Sequence, residues 1–261
     1  MSDAHILVER HGDVAVVRFN RPERMNAMAA RTVAELRAAL NEIGDARSVL
    51  LTGGDRAFSS GADLASGDPV PADENGPDLG ATLEQGYNPL LLTIRDLPVP
   101  IVAAVNGPAA GVGCSLALAC DLIVAGESAY FLQAFTRIGL VPDGGAAFLL
   151  TSGAGKARAL EAMLLAEKIP SRTALDWGLV NRVVPDATVE QTGLEIAARL
   201  AAGPTFALGR TRRAAWSALQ SGFEDHLACE RRDQRDAGRT ADFAEGVAAF
   251  LEKRPANFHG R

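Results

Sequence analysis

The segment Asn106-Gly107-Pro108-Ala109-Ala110-Gly111-Val112-Gly113-Cys114-Ser115-Leu116 decides how this chain is read. It follows an apolar run, Pro100–Val105, and leads into an apolar helical stretch, Leu116–Cys120. A buried strand that stops at small residues just before a helix leaves backbone N–H groups without partners. A second segment of this kind, Ala57-Phe58-Ser59-Ser60-Gly61-Ala62-Asp63-Leu64, follows the apolar run Ser48–Thr52 about fifty residues earlier. Two such termini aimed at one point would make an oxyanion hole, which stabilises negative charge developing on a carbonyl oxygen.

Outward from these segments the chain keeps an α/β rhythm. Ile6–Glu9 and Val14–Phe19 read as strands about the turn His11-Gly12-Asp13, and Val33, Leu36, Leu40 and Ile43 line one face of a helix over Thr32–Ile43. Ser48–Thr52, Pro100–Val105 and Asp121–Ala125 then alternate with helical segments, which implies a parallel sheet buried on both faces. After Gly145 the pattern is mostly helical: Ala146–Leu150, Lys156–Glu167 and Ser171–Trp177, the last with Ser171 as its N-cap, then a short strand at Val180–Val184. Helices over Val189–Ala202, Pro204–Leu219, Phe223–Asp236 and Thr240–Glu252 complete a tail. Its apolar faces (Leu194, Ile196, Leu200; Ala215, Leu219; Phe243, Val247, Phe250) need a surface, either the chain's own sheet or a neighbouring subunit. Ser66–Gly80, rich in proline, glycine and acidic residues and without periodicity, reads as a mobile loop. It either covers the pocket beside the first segment or stands as a solvated insertion.

At 261 residues with 48% hydrophobic and 22% charged residues, the chain can bury a core without disulfide or metal. A net charge of −6 with no basic stripe argues against nucleic acid. The start, Met1-Ser2-Asp3-Ala4-His5, shows no secretory pattern, and no apolar run approaches the roughly 20 residues of a membrane span. A cytoplasmic location is expected. Cys114, Cys120 and Cys229 are an odd count without a Cys-x-x-Cys pair, supporting neither a disulfide framework nor zinc. Cys114 is either a nucleophile or a small buried hydrophobe. A dinucleotide loop fails at Leu116, where the Gly111-x-Gly113 pattern wants glycine or alanine.

The order Arg21-Pro22-Glu23-Arg24-Met25-Asn26-Ala27, Phe58…Gly61-Ala62-Asp63-Leu64, Ala104-Val105-Asn106-Gly107, Cys120-Asp121, Gly139-Leu140-Val141-Pro142-Asp143-Gly144-Gly145 and Glu245–Pro255 resembles the crotonase superfamily, the enoyl-CoA hydratase/isomerase family. The resemblance runs nearly end to end. It implies a repeated ββα spiral over residues 1–200 and a helical trimerisation region over 201–261, with trimers often paired into hexamers. It implies an acyl-CoA thioester as substrate, coenzyme A entering only as part of it, and the N–H groups of Ala62 and Val112 as the hole. Arg24, Ala27, Asp63, Leu64, Ser115 and Phe135 fall in its CoA and acyl contact segments. Phe250 and Lys253 match a position that reaches CoA from an adjacent subunit, although Lys253-Arg254 is also what a solvated helix end favours. Ala65 stands where a lysine is frequent, so one phosphate contact is missing or supplied elsewhere.

The resemblance expects hydratase glutamates at two positions, and these hold Ser115 and Phe135. Adding water needs one group to take a proton from it and one to protonate the α-carbon. Neither residue serves, so conventional hydration is not expected. Asp143 sits where some family members place a single carboxylate for double-bond isomerisation, which needs one group that reaches both the α- and the γ-carbon. Among the apolar Phe135, Leu140 and Val141 its pKa would rise toward a useful range. Read from pattern alone, Asp143 before Gly144-Gly145 is also a good helix cap. Asp63, next to Ala62, is the obvious second carboxylate, but reads first as a loop-holding acceptor of N–H groups. Ser59, Ser60 and Ser115 are possible pocket donors without an adjacent histidine, and His5, His11, His226 and His259 read as exposed decoration. Phe131, Leu132 and Phe135 suggest an apolar wall. The expectation is an acyl-CoA isomerase without metal or redox cofactor. The alternatives are an epoxide acyl-CoA isomerase, a hydratase with unusual acid–base groups, or an acyl-CoA binder without turnover.

Overall fold

The computed structural model describes residues 3–260. Ile6–His11 and Val14–Phe19 pair antiparallel as a hairpin. Beyond them every neighbour is parallel, through Ser48–Thr52, Ile101–Val105, Leu122–Gly126 and Arg182–Val184, in a six-stranded sheet of that order. The inner strands read as unbroken apolar runs because both faces are dry. Ala15, Val17, Val49, Leu51, Ala103 and Val105 join one core, while Val14, Val16, Leu50, Val102, Ala104 and Val124 join the other. Leu194, Ile196 and Leu200 of the helix Val189–Ala201 cover the second face. Gly193 lets that helix lie close, since a Cβ there would stand 2.9 Å from Leu50 Cδ1 and 3.2 Å from Ala104 Cβ.

A second sheet joins Pro108–Ala110 to Tyr130–Leu132 in parallel and Tyr130–Leu132 to Ile169–Pro170 antiparallel. Isolated bridges Ser59–Ala109 and Met28–Ala62 continue it. Val14–Phe19, Ser48–Thr52, Ile101–Val105 and Leu122–Gly126 each pass into a short extended piece of this sheet and then into a helix, which is the ββα spiral.

Several boundaries differ from the sequence reading, each for a local reason. The helix after the second glycine segment runs Val112–Leu118, not Leu116–Cys120, because Gly113 lowers helix propensity without preventing a buried turn. Pro108–Ala110 is a strand hidden within that segment. Ser171 is the first residue of the helix Ser171–Asp176 rather than its cap, and its hydroxyl donates to Glu127 O at 3.2 Å. The Ser66–Gly80 loop is partly pinned: Ala72–Asp73 pairs with Gly76–Pro77, and Asp68 accepts the Ala30 N–H at 2.7 Å, at the start of the helix Ala30–Asn41. Beyond it lie a π-helical turn, Leu83–Tyr87, and a helix, Asn88–Asp96, that the sequence reading did not place.

Arg212, buried on the helix Thr205–Ala218, ties the tail to the sheet. Its guanidinium donates to Asp121 Oδ2 at 2.8 Å and to the carbonyls of Ile94, Arg95 and Leu97, which end the helix Asn88–Asp96. Between that tail helix and the core lies a cavity of about 480 Å3, lined by Leu118, Leu149, Leu179 and Trp216 among others. Of the apolar faces in the tail, that of the last helix, Ala241–Glu252, is left open, with Phe243, Val247 and Phe250 exposed, and Leu219, Phe223 and Leu227 are exposed as well. No helix among the described residues is long and apolar enough to cross a membrane.

Candidate functional site

The two glycine segments are stitched side by side. Phe58 and Ser59 N–H groups share Pro108 O at 3.1 Å each, and Ala110 N–H returns to Ser59 O at 2.9 Å. Gly61 and Gly111 follow with φ of +95° and +52°, a region that side chains rarely enter. They touch back to back: a Cβ on Gly61 would stand 2.7 Å from Ala110 O and 3.6 Å from Gly111 Cα.

That contact places the Gly61–Ala62 and Gly111–Val112 peptides next to one another. In a trans peptide the N–H points opposite to the carbonyl, so whatever holds the carbonyl aims the N–H. Met28 N–H holds Gly61 O at 2.7 Å, and Cys114 and Ser115 N–H groups hold Gly111 O at 3.0 and 3.2 Å. The N–H groups of Ala62 and Val112 have no acceptor among the described residues. They are adjacent, pinned from behind and free in front.

Asp143 comes to the same place from the turn Phe135–Ile138, where Leu140 N–H donates to Phe135 O at 3.0 Å. Gly144, at φ +60°, lies close enough to the second segment that a Cβ would meet Ser115 Cβ at 2.9 Å and Val112 Cγ2 at 3.1 Å. Ser115 Oγ donates to the Asp143 carbonyl at 3.0 Å, so Ser115 holds this segment rather than facing a ligand as a free hydroxyl. The Asp143 side chain does not cap the next helix, Ala146–Ala154, whose N-cap is Gly145. Its Oδ1 is buried without a partner among the described residues, and burial alone pushes the carboxyl up to about 6. The buried Phe135 ring lies near Gly111, 3.8 Å from where a Cβ would stand.

Tyr87, which sequence reasoning missed, is buried here too and donates to Met28 O at 3.1 Å. Its pKa is raised, first by burial and then by the negative charges of Asp143, Asp68 and Asp63. The one hint in the sequence is an aromatic residue at the end of an otherwise polar insertion.

The other expected residues divide. Asp63 holds its loop, accepting Ala65 N–H at 3.2 Å, and also pairs with Arg21 at 2.9 Å, a partner the sequence did not suggest. Ser59 Oγ is engaged by Asn26 O at 2.8 Å and Ser60 Oγ by Arg24 O at 3.4 Å, so neither is a free pocket donor. Cys114 is fully buried and its thiol is pushed up to about 12, which fits the small buried hydrophobe rather than a thiolate nucleophile. Phe131 and Leu132 are buried, and Ala27 lies under the first segment, while Arg24 and Leu64 are exposed beside it. Phe250 and Lys253 are exposed at the end of the last helix, and no side-chain hydrogen bond among the described residues ties them to Asp143. His5 is not simple decoration, since its ring meets Thr32 Oγ1 at 2.7 Å.

Residues 9–261 match the family model described as enoyl-CoA hydratase/isomerase. The chain is 45% identical over its whole length, and that of the relative, to a Rhodobacter capsulatus protein named "Probable enoyl-CoA hydratase". It is 41% identical to the 1,2-epoxyphenylacetyl-CoA isomerase of Escherichia coli, over 95% of each chain. The crystal structure of enoyl-CoA hydratase from Bacillus anthracis superposes with a TM-score of 0.90 at 30% identity, covering 98% of this chain and 100% of that one.

Proposed function

Since the chain belongs to the enoyl-CoA hydratase/isomerase family, we propose that it shifts a double bond in an acyl-CoA thioester from the β,γ to the α,β position through an enolate. Asp143 carries this reading, as a lone carboxyl with a buried, unpartnered oxygen beside Val112. The positions where a hydratase would hold its glutamates have Ser115 and Phe135, and neither can take a proton from water.

In the proposed reaction the thioester oxygen lies against the N–H groups of Ala62 and Val112. The Asp143 carboxylate removes a proton from the α-carbon. The C–H electron pair becomes the bond between the α-carbon and the thioester carbon, and the carbonyl π pair moves onto oxygen. The two N–H groups stabilise that charge. Asp143, now a carboxylic acid, returns its proton to the γ-carbon, where the β,γ π pair makes the new C–H bond. At the same time the oxygen pair restores the carbonyl and the enolate π pair moves to lie between the α- and β-carbons. Nothing is consumed, so no cofactor is called for beyond the coenzyme A carried by the substrate.

A pKa near 6 suits both halves of the cycle, ionised at pH 7 yet a usable acid after the first transfer. Arg24, Ala27, Asp63 and Leu64 would meet the CoA arm where it leaves the hole. The exposed apolar residues of the last helix support a core of residues 1–200 joined to a trimerising region at 201–261, in trimers or hexamers that bring Phe250 and Lys253 to a neighbouring subunit's CoA. Chemistry on CoA esters fits the cytoplasm. A second reading, ring-opening isomerisation of an epoxide acyl-CoA, is favoured by the 41% identity to the Escherichia coli isomerase. It uses the same hole and carboxyl.

The test is to incubate the protein in deuterated water with a β,γ-unsaturated acyl-CoA, with its α,β isomer and with an epoxide acyl-CoA, and to follow each by mass spectrometry. Isomerisation with deuterium at the α- or γ-carbon supports the first reading. Conversion of the epoxide alone supports the second. A gain of the mass of water overturns both.

A further inference from the structure

We propose that Tyr87 is a positioning residue: through Met28, its phenol sets the aim of the Ala62 N–H at the thioester oxygen. This rests on the reading of Ala62 and Val112 as the oxyanion-binding pair. The reaction proposed above makes no use of Tyr87, although it is a buried polar side chain within electrostatic reach of the acting carboxyl.

The connection is short. Tyr87 closes the π-helical turn Leu83–Tyr87, and such turns are rare and frequent at functional sites. Its hydroxyl donates to Met28 O at 3.1 Å, and the same carbonyl accepts Asp63 N–H at 3.0 Å. Met28 N–H donates in turn to Gly61 O at 2.7 Å. Met28 therefore clamps the residues on both sides of Ala62. Because the Ala62 N–H and the Gly61 carbonyl belong to one rigid plane, a tilt of Met28 becomes a tilt of that N–H. Burial and the surrounding charges of Asp143, Asp68 and Asp63 hold the phenol protonated, so it stays a donor. Val112 needs no such brace, since Gly111 O is held by its own helix. The phenol thus serves the one N–H of the pair that sits on a loop.

The experiment compares the parent protein with Tyr87→Phe, which removes one oxygen and keeps the ring. Two quantities separate aim from mere packing: kcat against KM on the unsaturated acyl-CoA, and the near-ultraviolet enolate band of a bound β-ketoacyl-CoA, whose charge needs both N–H groups. We expect kcat and the enolate band to fall roughly tenfold, as misplacement of a reacting group by a fraction of an ångström would do. KM and the affinity for a saturated acyl-CoA should stay within about twofold, with little change in melting temperature. Gly61→Ala, which tilts the same peptide without touching the phenol, should split kcat from KM in the same way. Parent-like kcat and enolate band in Tyr87→Phe overturn the proposal, as does an equal loss of saturated acyl-CoA binding. A parent protein that neither polarises the β-ketoacyl-CoA nor converts an unsaturated one overturns the oxyanion reading itself, and Tyr87's role with it.

Discussion

Asp121 and Asp143 stand at opposite ends of the parallel strands and are treated in opposite ways. At the N-terminal edge, Asp121 Oδ2 accepts Ile101 N–H and Arg212 Nε, both at 2.8 Å, and Arg212 spends its remaining donors on three helix-end carbonyls. Beyond the C-terminal ends, where open α/β sheets bind ligands, Asp143 Oδ1 accepts nothing and two neighbouring N–H groups donate to nothing among the described residues. A satisfied buried polar group contributes to the fold. One left unsatisfied is an energetic cost that a bound substrate can relieve. The contrast separates a structural aspartate from a candidate for chemistry better than residue type or local pattern does.

The largest effect expected from this contrast is at Asp143. Asp143→Asn keeps the shape and removes the titrating oxygen, so isomerase turnover should fall roughly 10³-fold, ~4 kcal/mol of barrier, with acyl-CoA affinity within a few-fold. Steady-state kinetics beside isothermal titration would show it, and unchanged turnover would sink the proton-shuttle reading. Arg212→Ala should do the reverse. Leaving Asp121 and three carbonyls without their donor should cost about 3 kcal/mol of stability, seen as a lower urea midpoint, while activity per folded molecule holds. If instead kcat falls with stability unchanged, the two edges are not separate. Gly61→Ala sits between them. Its Cβ would press on Ala110 O at 2.7 Å in a backbone region closed to alanine, and the displaced Ala62 N–H should lower kcat about 100-fold.

Much of the backbone frame of the candidate site was legible in the chain. The glycines at 61 and 111 signal backbone contact, and the apolar runs before them signal strands buried on both faces. Asp143 stood out only through the resemblance to family members with a single carboxylate there, since its pattern before Gly144-Gly145 reads first as a helix cap. The structural edge was not legible, since Arg212 and Asp121 are 91 residues apart and nothing local marks either as the other's partner. Tyr87 was missed for a related reason. Its target is a backbone carbonyl at Met28, and backbone acceptors leave no trace in a sequence. Pro108–Ala110 was missed as a strand because its small residues, chosen for close approach, carry none of the β-branched signal that marks the long strands.

The smallest effect is a change of sign in stability. Asp143 has its pKa raised in the folded protein, to about 6 from an ordinary 3.8. The folded state thus binds this proton more tightly than the unfolded chain does, so the group's contribution is fully present below about pH 4 and is lost as pH rises through about 6. At pH 7 the ionised carboxylate destabilises the fold. With allowance for its partial exposure, Asp143→Asn should gain on the order of 1 kcal/mol there. Melting curves of the variant and its parent should therefore separate at pH 7 and converge near pH 4. Catalysis runs the other way, because the base must be ionised, and kcat/KM should climb with pH through about 6 and then level. A variant that is no more stable at pH 7, or a parent whose activity is flat across this range, would mean that Asp143 has a partner in solution. It would then belong with Asp121 among the residues that only hold the chain together.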